Sequence, residues 1–303
     1  MKKKIVSLLT ILMILISSVP SICFADDKGK AIVIDLNRTG LEDMLSIDSL
    51  SKKMEKEGYI GLMNIRGDRG TDDRRSYAAV GAGGKVTLPN QSLINFEEVN
   101  KGNAKAYKAE TGHNPKKIND MTINHSLSEN LENGSYGSVL GSLGQTLSNH
   151  KLRASVIGNA DRVNNGELIK NRNIALMAMD NIGRVDDGNV DNINIKDNTM
   201  PYGIRTDYDK LKSETKKFYD NSDVLFVELG DTYRLDDYKN YLNEKTYNNM
   251  KKNIYKNIDD YLQEVFKMVD ENDTIYIMSA FPSKEDYKNQ KRLSPVIKFE
   301  GSQ

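Results

Sequence analysis

Short apolar runs alternate with amphipathic stretches along most of the chain, which is the pattern of strands separated by helices. The run from Ala31 to Leu36 is typical of a strand that is buried on both faces of a parallel sheet. Apolar residues then recur at helical spacing up to Gly58, which ends the helix, and a second apolar run follows from Tyr59 to Ile65. This order predicts a βαβ unit. The helical positions are Leu41, Met44, Leu45, Leu50 and Met54.

The same alternation continues toward the end of the chain and indicates an α/β fold. We predict a three-layer sandwich with a mostly parallel central sheet, because strands that alternate with helices form that architecture. Further strands are predicted at Ala154–Ile157, Ile174–Met179, Val224–Val227 and Thr274–Met278. Helices are predicted at Tyr136–His150, at Asp209–Tyr219 and from Tyr238 to Phe266, where apolar residues recur every four positions, and a turn is predicted at Asp186–Gly188.

One long segment, residues 87–135, breaks this pattern. It is polar, rich in asparagine and without hydrophobic periodicity. Such a composition predicts a loop-rich insertion that caps the sheet. We expect residues 26–303 to form a single α/β domain that carries this insertion.

The first 25 residues have the features of a secretory signal peptide. Three lysines, Lys2 to Lys4, precede an apolar run from Ile5 to Ile16, and small residues precede Asp26. Cleavage after Ala25 would give a secreted or cell-envelope-associated protein with no integral membrane span. Two alternatives stay open: acylation at Cys23, and retention of the segment as an N-terminal anchor.

Composition narrows the possible partners. The chain has 43 basic and 43 acidic residues, and the signal contributes three of the basic ones and none of the acids. The mature chain is therefore weakly acidic, with a net charge of about −3, which argues against nucleic acid as a partner. Cleavage also removes Cys23, the only cysteine, and so excludes disulfides and thiol catalysis.

Polar side chains follow four of the predicted strands. Ligands of α/β proteins bind at the carboxyl ends of the strands, so these residues are the first candidates for a site. Converging carboxylates repel one another unless a cation joins them, and a hard divalent ion with oxygen ligands is one interpretation. The alternative is that they form turns and helix N-caps. The residues are Asp35, Asn37, Arg38, Thr39, Arg66, Asp68, Asp72, Asp73, Asn159, Asp161, Glu228, Asp231 and Asp236.

Three of these features together resemble the alkaline phosphatase superfamily: the first strand with Asp35, the segment Asp73–Gly83, and the strand followed by Asp231. The resemblance is to the phosphoglycerate mutase and nucleotide pyrophosphatase type, and the glycine segment is most similar to that of cofactor-independent phosphoglycerate mutases. The chain also resembles exported or membrane-anchored proteins of clostridia and bacilli. The resemblance implies an alkaline phosphatase-like fold over most of the mature chain.

The resemblance also implies a divalent-metal site and no organic cofactor. In that superfamily two ions, such as zinc, manganese or magnesium, flank a serine or threonine nucleophile and stabilise an in-line displacement at phosphorus. Asp35 and Asp231 match the metal-binding aspartates, and Asp236, after the same strand as Asp231, is a further candidate ligand.

The nucleophile position implied by the resemblance falls on Asp73, and Thr71 or Ser76 would take it only if the loop shifts by two or three residues. An arginine near this position suits a phosphate ester, because its planar fork binds phosphate bidentately. The candidate substrate-binding residues are Asn37, Arg38 and Arg74.

The chain departs from the superfamily pattern at the remaining ligands. Arg234, Leu235 and Asp236 stand where a histidine is expected, and the segment Ser279–Pro282 stands where an Asp-His pair is expected. The final histidine has no counterpart before Gln303. The resemblance is therefore to a degenerate or truncated member of the superfamily.

Two functions follow. The chain is a metal-dependent phosphatase or phosphodiesterase, or it is a non-catalytic extracellular binding protein that kept the fold and lost the metal and nucleophile set. The expected partner is a phosphate-bearing small molecule or a component of the cell envelope. Three carboxylates around one point would favour the enzyme, whereas neutralisation of Asp35 and Asp231 by Arg38, Arg66 or Arg234 would favour the binding protein.

Overall fold

The computed structural model of the protein describes residues 29–90 and 93–300. The predicted signal peptide lies outside the described residues. The strands are β1 (Ala31–Asp35), β2 (Gly58–Asn64), β3 (Phe96–Glu98), β4 (Ile118–Asp120), β5 (Ala154–Asn159), β6 (Arg162–Asn164), β7 (Glu167–Ile169), β8 (Arg184–Val185), β9 (Asp187–Asn189), β10 (Asn194–Lys196), β11 (Ile204–Thr206), β12 (Val224–Leu229), β13 (Thr274–Met278) and β14 (Leu293–Glu300).

The α-helices lie between these strands along the chain. They are α1 (Leu41–Leu45), α2 (Asp48–Glu57), α3 (Asp73–Ala82), α4 (Lys101–Thr111), α5 (Ile123–Asn133), α6 (Ser142–Asn149), α7 (Ala175–Ala178), α8 (Tyr208–Asn221), α9 (Asp231–Tyr238), α10 (Glu244–Met268) and α11 (Lys284–Lys288). Within residues 29–90 and 93–300, no helix has both the length and the apolar character needed to cross a membrane.

Seven strands form the central sheet in the order β2, β14, β13, β1, β12, β5, β9. β1 lies at the centre and pairs in parallel with both β12 and β13. β14 runs antiparallel to both of its neighbours, so the other six strands share one direction. The predicted mostly parallel sheet is confirmed, and the carboxyl ends of β1, β12 and β13 meet at one edge.

Helices cover both faces of this sheet, as a three-layer sandwich requires. Side chains alternate along β1 and β12, so that Ile32, Ile34, Leu225 and Val227 face one apolar cluster, with α2, α8 and α10, while Phe226 faces the other, with α3 and α7. The apolar residues that recur every four positions between Tyr238 and Phe266 correctly predict a buried helix face: Ile254, Ile258 and Leu262 of α10 are fully buried. That helix begins only after Asn243, whose side chain accepts a hydrogen bond from the backbone of Thr246.

Several predicted elements differ from the structure. The predicted βαβ unit is present as β1, α1 with α2, and β2, and its two strands run parallel, but β14 and β13 lie between them in the sheet. The predicted strand at 174–179 is instead the short helix α7, since a fully buried apolar run has no periodicity that separates a helix from a strand. The predicted turn at 186–188 overlaps β9, and only the second half of the predicted helix at 136–150 is helical, as α6.

The loop-rich interpretation of residues 87–135 is also wrong. This segment contains α4, α5, β3 and β4, and it contributes Phe96, Tyr107, Ile118 and Ile123 to the apolar cluster that also holds α3. α4 buries a single side chain, that of Tyr107, so its apolar positions do not recur often enough to give a helical period.

Candidate functional site

The central strands place two acids side by side at the carboxyl edge of the sheet. Asp35 ends β1, and Glu228 of β12 is its register partner. Tyr77 of α3 lies between them: its hydroxyl donates to Asp35 Oδ2 and lies 2.9 Å from Glu228 Oε2. The backbone N–H of Ala280 donates to Asp35 Oδ1 at 2.7 Å. We name Asp35, Tyr77 and Glu228 the shared-proton cluster.

A phenol carries one proton and cannot donate to two carboxylates at once. The second contact is satisfied when one acid is protonated and donates to the phenolic oxygen. Burial raises the pKa of Asp35 to about 7, and burial followed by the charge of Asp35 raises the pKa of Glu228 well above its usual range. The cluster therefore retains a proton near neutral pH, and this proton limits the repulsion between the two acids.

Arg38 joins two further acids at the same edge. Its Nε and Nη2 donate to the two carboxylate oxygens of Asp73 at 2.9 and 2.6 Å, and its Nη1 donates to Asp236 Oδ2 at 3.0 Å. Asn37 Nδ2 donates to Asp73 Oδ1 at 3.1 Å. A bidentate guanidinium–carboxylate pair is among the stronger hydrogen-bonded pairs in proteins. We call Asn37, Arg38, Asp73 and Asp236 the Arg38 cluster.

The surroundings of Arg38 fix its side chain in this position. The ring centroids of Tyr233 and Phe281 lie 5.2 and 5.5 Å from the guanidinium, and only 9% of the Arg38 side chain is exposed. Its backbone has φ 68°, in the left-handed region, which costs roughly 1–2 kcal/mol for a residue with a side chain. Arg38 is thus an internal counter-ion for two acids, and its guanidinium fork is not open for a phosphate group.

Asp231 belongs to a separate ion pair. Its Oδ1 accepts hydrogen bonds from Arg234 Nη2 at 2.7 Å and from the backbone N–H of Thr206 at 3.0 Å. Arg234 also donates to the Asp161 carbonyl at 2.9 Å, and both charged side chains are about 1% exposed. The Asp231 carboxylate is therefore not part of the shared-proton cluster. Arg234 neutralises the negative charge with which Asp231 would attract a metal ion.

The remaining candidates lie on or near α3. Ser76 Oγ donates to the Ala280 carbonyl in a buried contact, so it is not placed as an exposed nucleophile. Arg74 donates to Asp72 Oδ2 at 2.8 Å, away from the Arg38 cluster. Thr71 lies before the helix, where its carbonyl accepts a hydrogen bond of 3.5 Å from Tyr287.

The donor set does not fit the divalent ions that the resemblance implies. Among the described residues, no group of three or more aspartate, glutamate, histidine or cysteine side chains is arranged to hold a metal ion. The acids at the sheet edge fall instead into two pairs: Asp35 and Glu228 share the Tyr77 hydroxyl, and Asp73 and Asp236 share the Arg38 guanidinium. The repulsion that a metal ion would relieve is already relieved by a proton and by an arginine.

A cleft of about 450 Å³ opens beside Arg38. Its basic side chains are joined in ion pairs, including Lys239 with Glu285 at 2.5 Å and Lys251 with Asp43 at 2.7 Å. The cleft therefore offers a polar surface but no excess of free positive charge for an anion.

Sequence reasoning missed one member of the shared-proton cluster as a site residue, Tyr77. Glu228, the last residue but one of β12, was among the candidates at the strand ends but received no role there. Tyr77 has no comparable signal, because an aromatic residue in a helix is usually part of the core.

Comparisons with known proteins support the fold. No protein-family model matches the chain. No curated protein matches it either. Among solved structures, a protein of the alkaline phosphatase superfamily from Vibrio parahaemolyticus is 12% identical over 91% of this chain, with a TM-score of 0.51. This chain covers 61% of the Vibrio protein, about three fifths of its length.

Two other solved structures align over most of this chain at lower TM-scores. Alkaline phosphatase from the Antarctic bacterium TAB5 is 12% identical over 90% of this chain and 92% of its own, with a TM-score of 0.43. The lipoteichoic acid synthase LtaP from Listeria monocytogenes is 11% identical over 91% and 67%, with a TM-score of 0.39. The similarity to the Vibrio protein carries the conclusion, which concerns architecture alone: this chain has an alkaline phosphatase-like α/β fold.

Proposed function

We propose that this chain is an exported binding protein that has the alkaline phosphatase-like fold and does not hydrolyse phosphate esters. One observation carries the proposal: the Arg38 guanidinium spans Asp73 and Asp236, the residue at the expected nucleophile position and a candidate metal ligand. A carboxylate that is held in this way is neither a free nucleophile nor a free ligand. The molecule that the proposed binding protein recognises is a component of the cell envelope.

The other candidate residues support the same proposal. Asp231 is neutralised by Arg234, and the Ser76 hydroxyl is engaged by a backbone carbonyl. Both remaining acids of the edge, Asp35 and Glu228, are buried against Tyr77. An active phosphatase would need several of these contacts to break together.

The second candidate, a metal-dependent phosphate-ester hydrolase, is favoured by the gathering of Asp35, Asp73 and Glu228 at one sheet edge. Magnesium is bound in a solved variant of the TAB5 alkaline phosphatase. For a similar ion to bind here, Arg38 would have to leave Asp73 and Asp236. Release of this arginine is therefore the event that separates the two candidates.

Metal content and turnover test the proposal directly. The mature chain is purified with Asp35→Asn and Arg38→Met variants, and each is measured for bound metal by plasma mass spectrometry and for p-nitrophenyl phosphate turnover with added manganese or zinc. We expect wild type and Asp35→Asn to be alike, without stoichiometric metal and without turnover above the buffer rate. Stoichiometric metal together with turnover in wild type, both lost in Asp35→Asn, would establish the hydrolase instead.

The Arg38→Met variant serves as the sensitive control. Methionine fills a similar volume without the charge, and it leaves Asp73 and Asp236 unpaired at the edge. If this variant takes up metal that wild type does not, then Arg38 is what closes the site to ions. Export is tested separately by N-terminal sequencing of the secreted chain, which we expect to begin at Asp26.

A further inference from the structure

Three tyrosine rings line a groove beside the Arg38 cluster. Tyr202 and Tyr238 meet edge to face with ring centroids 5.0 Å apart, and Tyr238 and Tyr241 lie 5.0 Å apart at a tilt of 39°. Tyr241 is 76% exposed. The groove has a volume of about 630 Å³, within the usual range for small-molecule sites. We call it the tyrosine groove.

Uncharged amides surround these rings. Asn164 and Asn165 come from the β6–β7 hairpin, and Asn240 follows α9. All three are exposed, and each amide side chain offers both hydrogen-bond donors and acceptors. The rim can therefore exchange hydrogen bonds with hydroxyl groups of a ligand in either direction.

The charged groups of the groove are already paired with one another. Asp237 accepts hydrogen bonds from the hydroxyl of Tyr202, from Arg162 Nη1 at 3.2 Å and from Lys284 Nζ. Arg162 Nη1 also donates to the Tyr233 hydroxyl at 2.9 Å. This network fixes the floor of the groove: Arg162 and Lys284 share the one carboxylate of Asp237, so each charged group has a partner of opposite sign and the net charge of the three is about +1.

The backbone at Tyr202 gives an independent indication. This residue has φ 60°, and it precedes Gly203, which has φ 67°. A tyrosine in the left-handed region costs about 1–3 kcal/mol, and backbone strain of this kind concentrates at binding sites. This backbone conformation places the Tyr202 ring against Tyr238 and its hydroxyl on Asp237.

We propose that the tyrosine groove binds a neutral oligosaccharide. The C–H face of a pyranose ring stacks on an exposed aromatic face, and its hydroxyls match amide side chains. The charged groups of the floor are held in ion pairs with one another, which favours a sugar without ionic groups. The inference rests on the proposed function, since it names the ligand class of the proposed binding protein. A protein partner is the competing occupant, but a concave groove rimmed by amides favours a small hydroxylated ligand over a flat interface.

Isothermal titration calorimetry of the mature chain tests the inference, with cellohexaose, chitohexaose and mannohexaose as probes. We expect one of the three to bind with a stoichiometry of one. Tyr241→Ala should weaken that binding at least about tenfold, because the stacking surface is lost, whereas Tyr241→Phe keeps the ring and should stay within about threefold. Tyr59→Ala is the matched control: Tyr59 is 63% exposed, lies on β2 outside the groove, and should leave the affinity unchanged.

Three outcomes would overturn the inference. The first is that none of the hexasaccharides binds, and the second is that Tyr241→Ala binds as tightly as wild type. The third is that Tyr241→Ala changes the sedimentation coefficient of the chain while no sugar binds, which would assign the rings to a protein interface. Circular dichroism of each variant verifies folding, which the exposure of Tyr241 should preserve. Failure here would leave the metal and turnover results untouched, because those concern the sheet edge and not the groove.

Discussion

Arg234 is the largest of the fully buried residues that the structure describes. Its charge is balanced by one acid, Asp231. Removing one partner of a buried ion pair leaves the other charge without compensation in a medium of low polarity. The same spacing of three residues occurs on the surface, between Glu264 and Lys267 of α10, where water screens both charges. The two pairs therefore separate the effect of burial from that of spacing.

We predict that Arg234→Met lowers the free energy of unfolding by about 3–5 kcal/mol, because Asp231 is left buried and unpaired. Lys267→Met, the exposed counterpart, should change it by less than about 1 kcal/mol. Urea denaturation at pH 7 measures both. The double variant Asp231→Asn with Arg234→Met should recover part of the loss, and similar losses in the buried and the exposed variant would contradict the assignment.

The shared-proton cluster makes stability depend on pH. The pKa of Asp35 is about 7 in the folded protein and 3.8 for the unperturbed group, so the folded state binds more protons between these values. The contribution of Asp35 to the free energy of unfolding should therefore fall as pH rises from about 4 to about 7, by up to about 1.4 kcal/mol per pH unit, and then level off. Urea denaturation at pH 5 and pH 8 measures the decline.

Asp35→Asn removes the titrating group and keeps its shape. We expect this variant to lose less stability than wild type between pH 5 and pH 8. An equal decline in both proteins would show that Asp35 ionises normally. The raised pKa of Glu228 acts in the same direction and leaves a residual decline in the variant.

Side-chain pairing is the part of the site that sequence could not predict. Position along the strands was enough to place Asp35 and Arg38 at one edge of the sheet. Which charges neutralise each other depends on side-chain directions that only the packed structure fixes. Asp231 and Asp236 follow the same strand five residues apart, yet Asp231 faces Arg234 and Asp236 faces Arg38.

At the scale of elements, α3 and α7 approach each other at Gly81. A Cβ atom at this position would lie 2.3 Å from the Leu176 carbonyl oxygen and 3.0 Å from Met177 Cα. Gly81 therefore has a packing role. Gly83 differs, since it caps α3 at φ 64° and an added Cβ would have open space around it.

We predict that Gly81→Ala lowers the free energy of unfolding by about 1–3 kcal/mol, because the methyl group overlaps the backbone of α7. Gly83→Asn is the matched control in the same helix, and it should lose less than about 1 kcal/mol because asparagine tolerates the left-handed conformation. Thermal unfolding monitored by circular dichroism compares the two. If both variants lose the same stability, close packing at Gly81 is not the cause.

Strands that are buried on both faces of the sheet were predictable from the sequence, and β14, nearer the edge of the sheet, was not. β1, β12 and β13 are continuous apolar runs, and each was predicted within one or two residues. β14 contains Ser294, Pro295 and Lys298, which obscure its strand pattern, although Ile297 and Phe299 are fully buried. Its partners lie far away in the sequence, so local patterns carry no information about its insertion between β13 and β2.

At the scale of the molecule, the two apolar clusters share the strands of one sheet. Val33 of β1 packs on one cluster while its neighbours Ile32 and Ile34 pack on the other. Loss of either helical layer would expose apolar residues of the same strands. The two layers are therefore expected to depend on each other for stability.

We predict a single cooperative transition for residues 26–303 in differential scanning calorimetry, with equal calorimetric and van't Hoff enthalpies. Such a result would agree with one domain that includes the segment 87–135. Two resolved transitions would instead divide the chain into units that unfold separately.

The ion pairs of Arg38 have a consequence for how the protein matures. A centre that depends on a bound ion is completed in two stages, folding and loading, and the second depends on supply from outside. The counter-charge of Asp73 and Asp236 is part of the polypeptide itself. If the proposed function is right, this edge of the sheet is complete as soon as the chain folds, and chelators added to the medium should not change its stability.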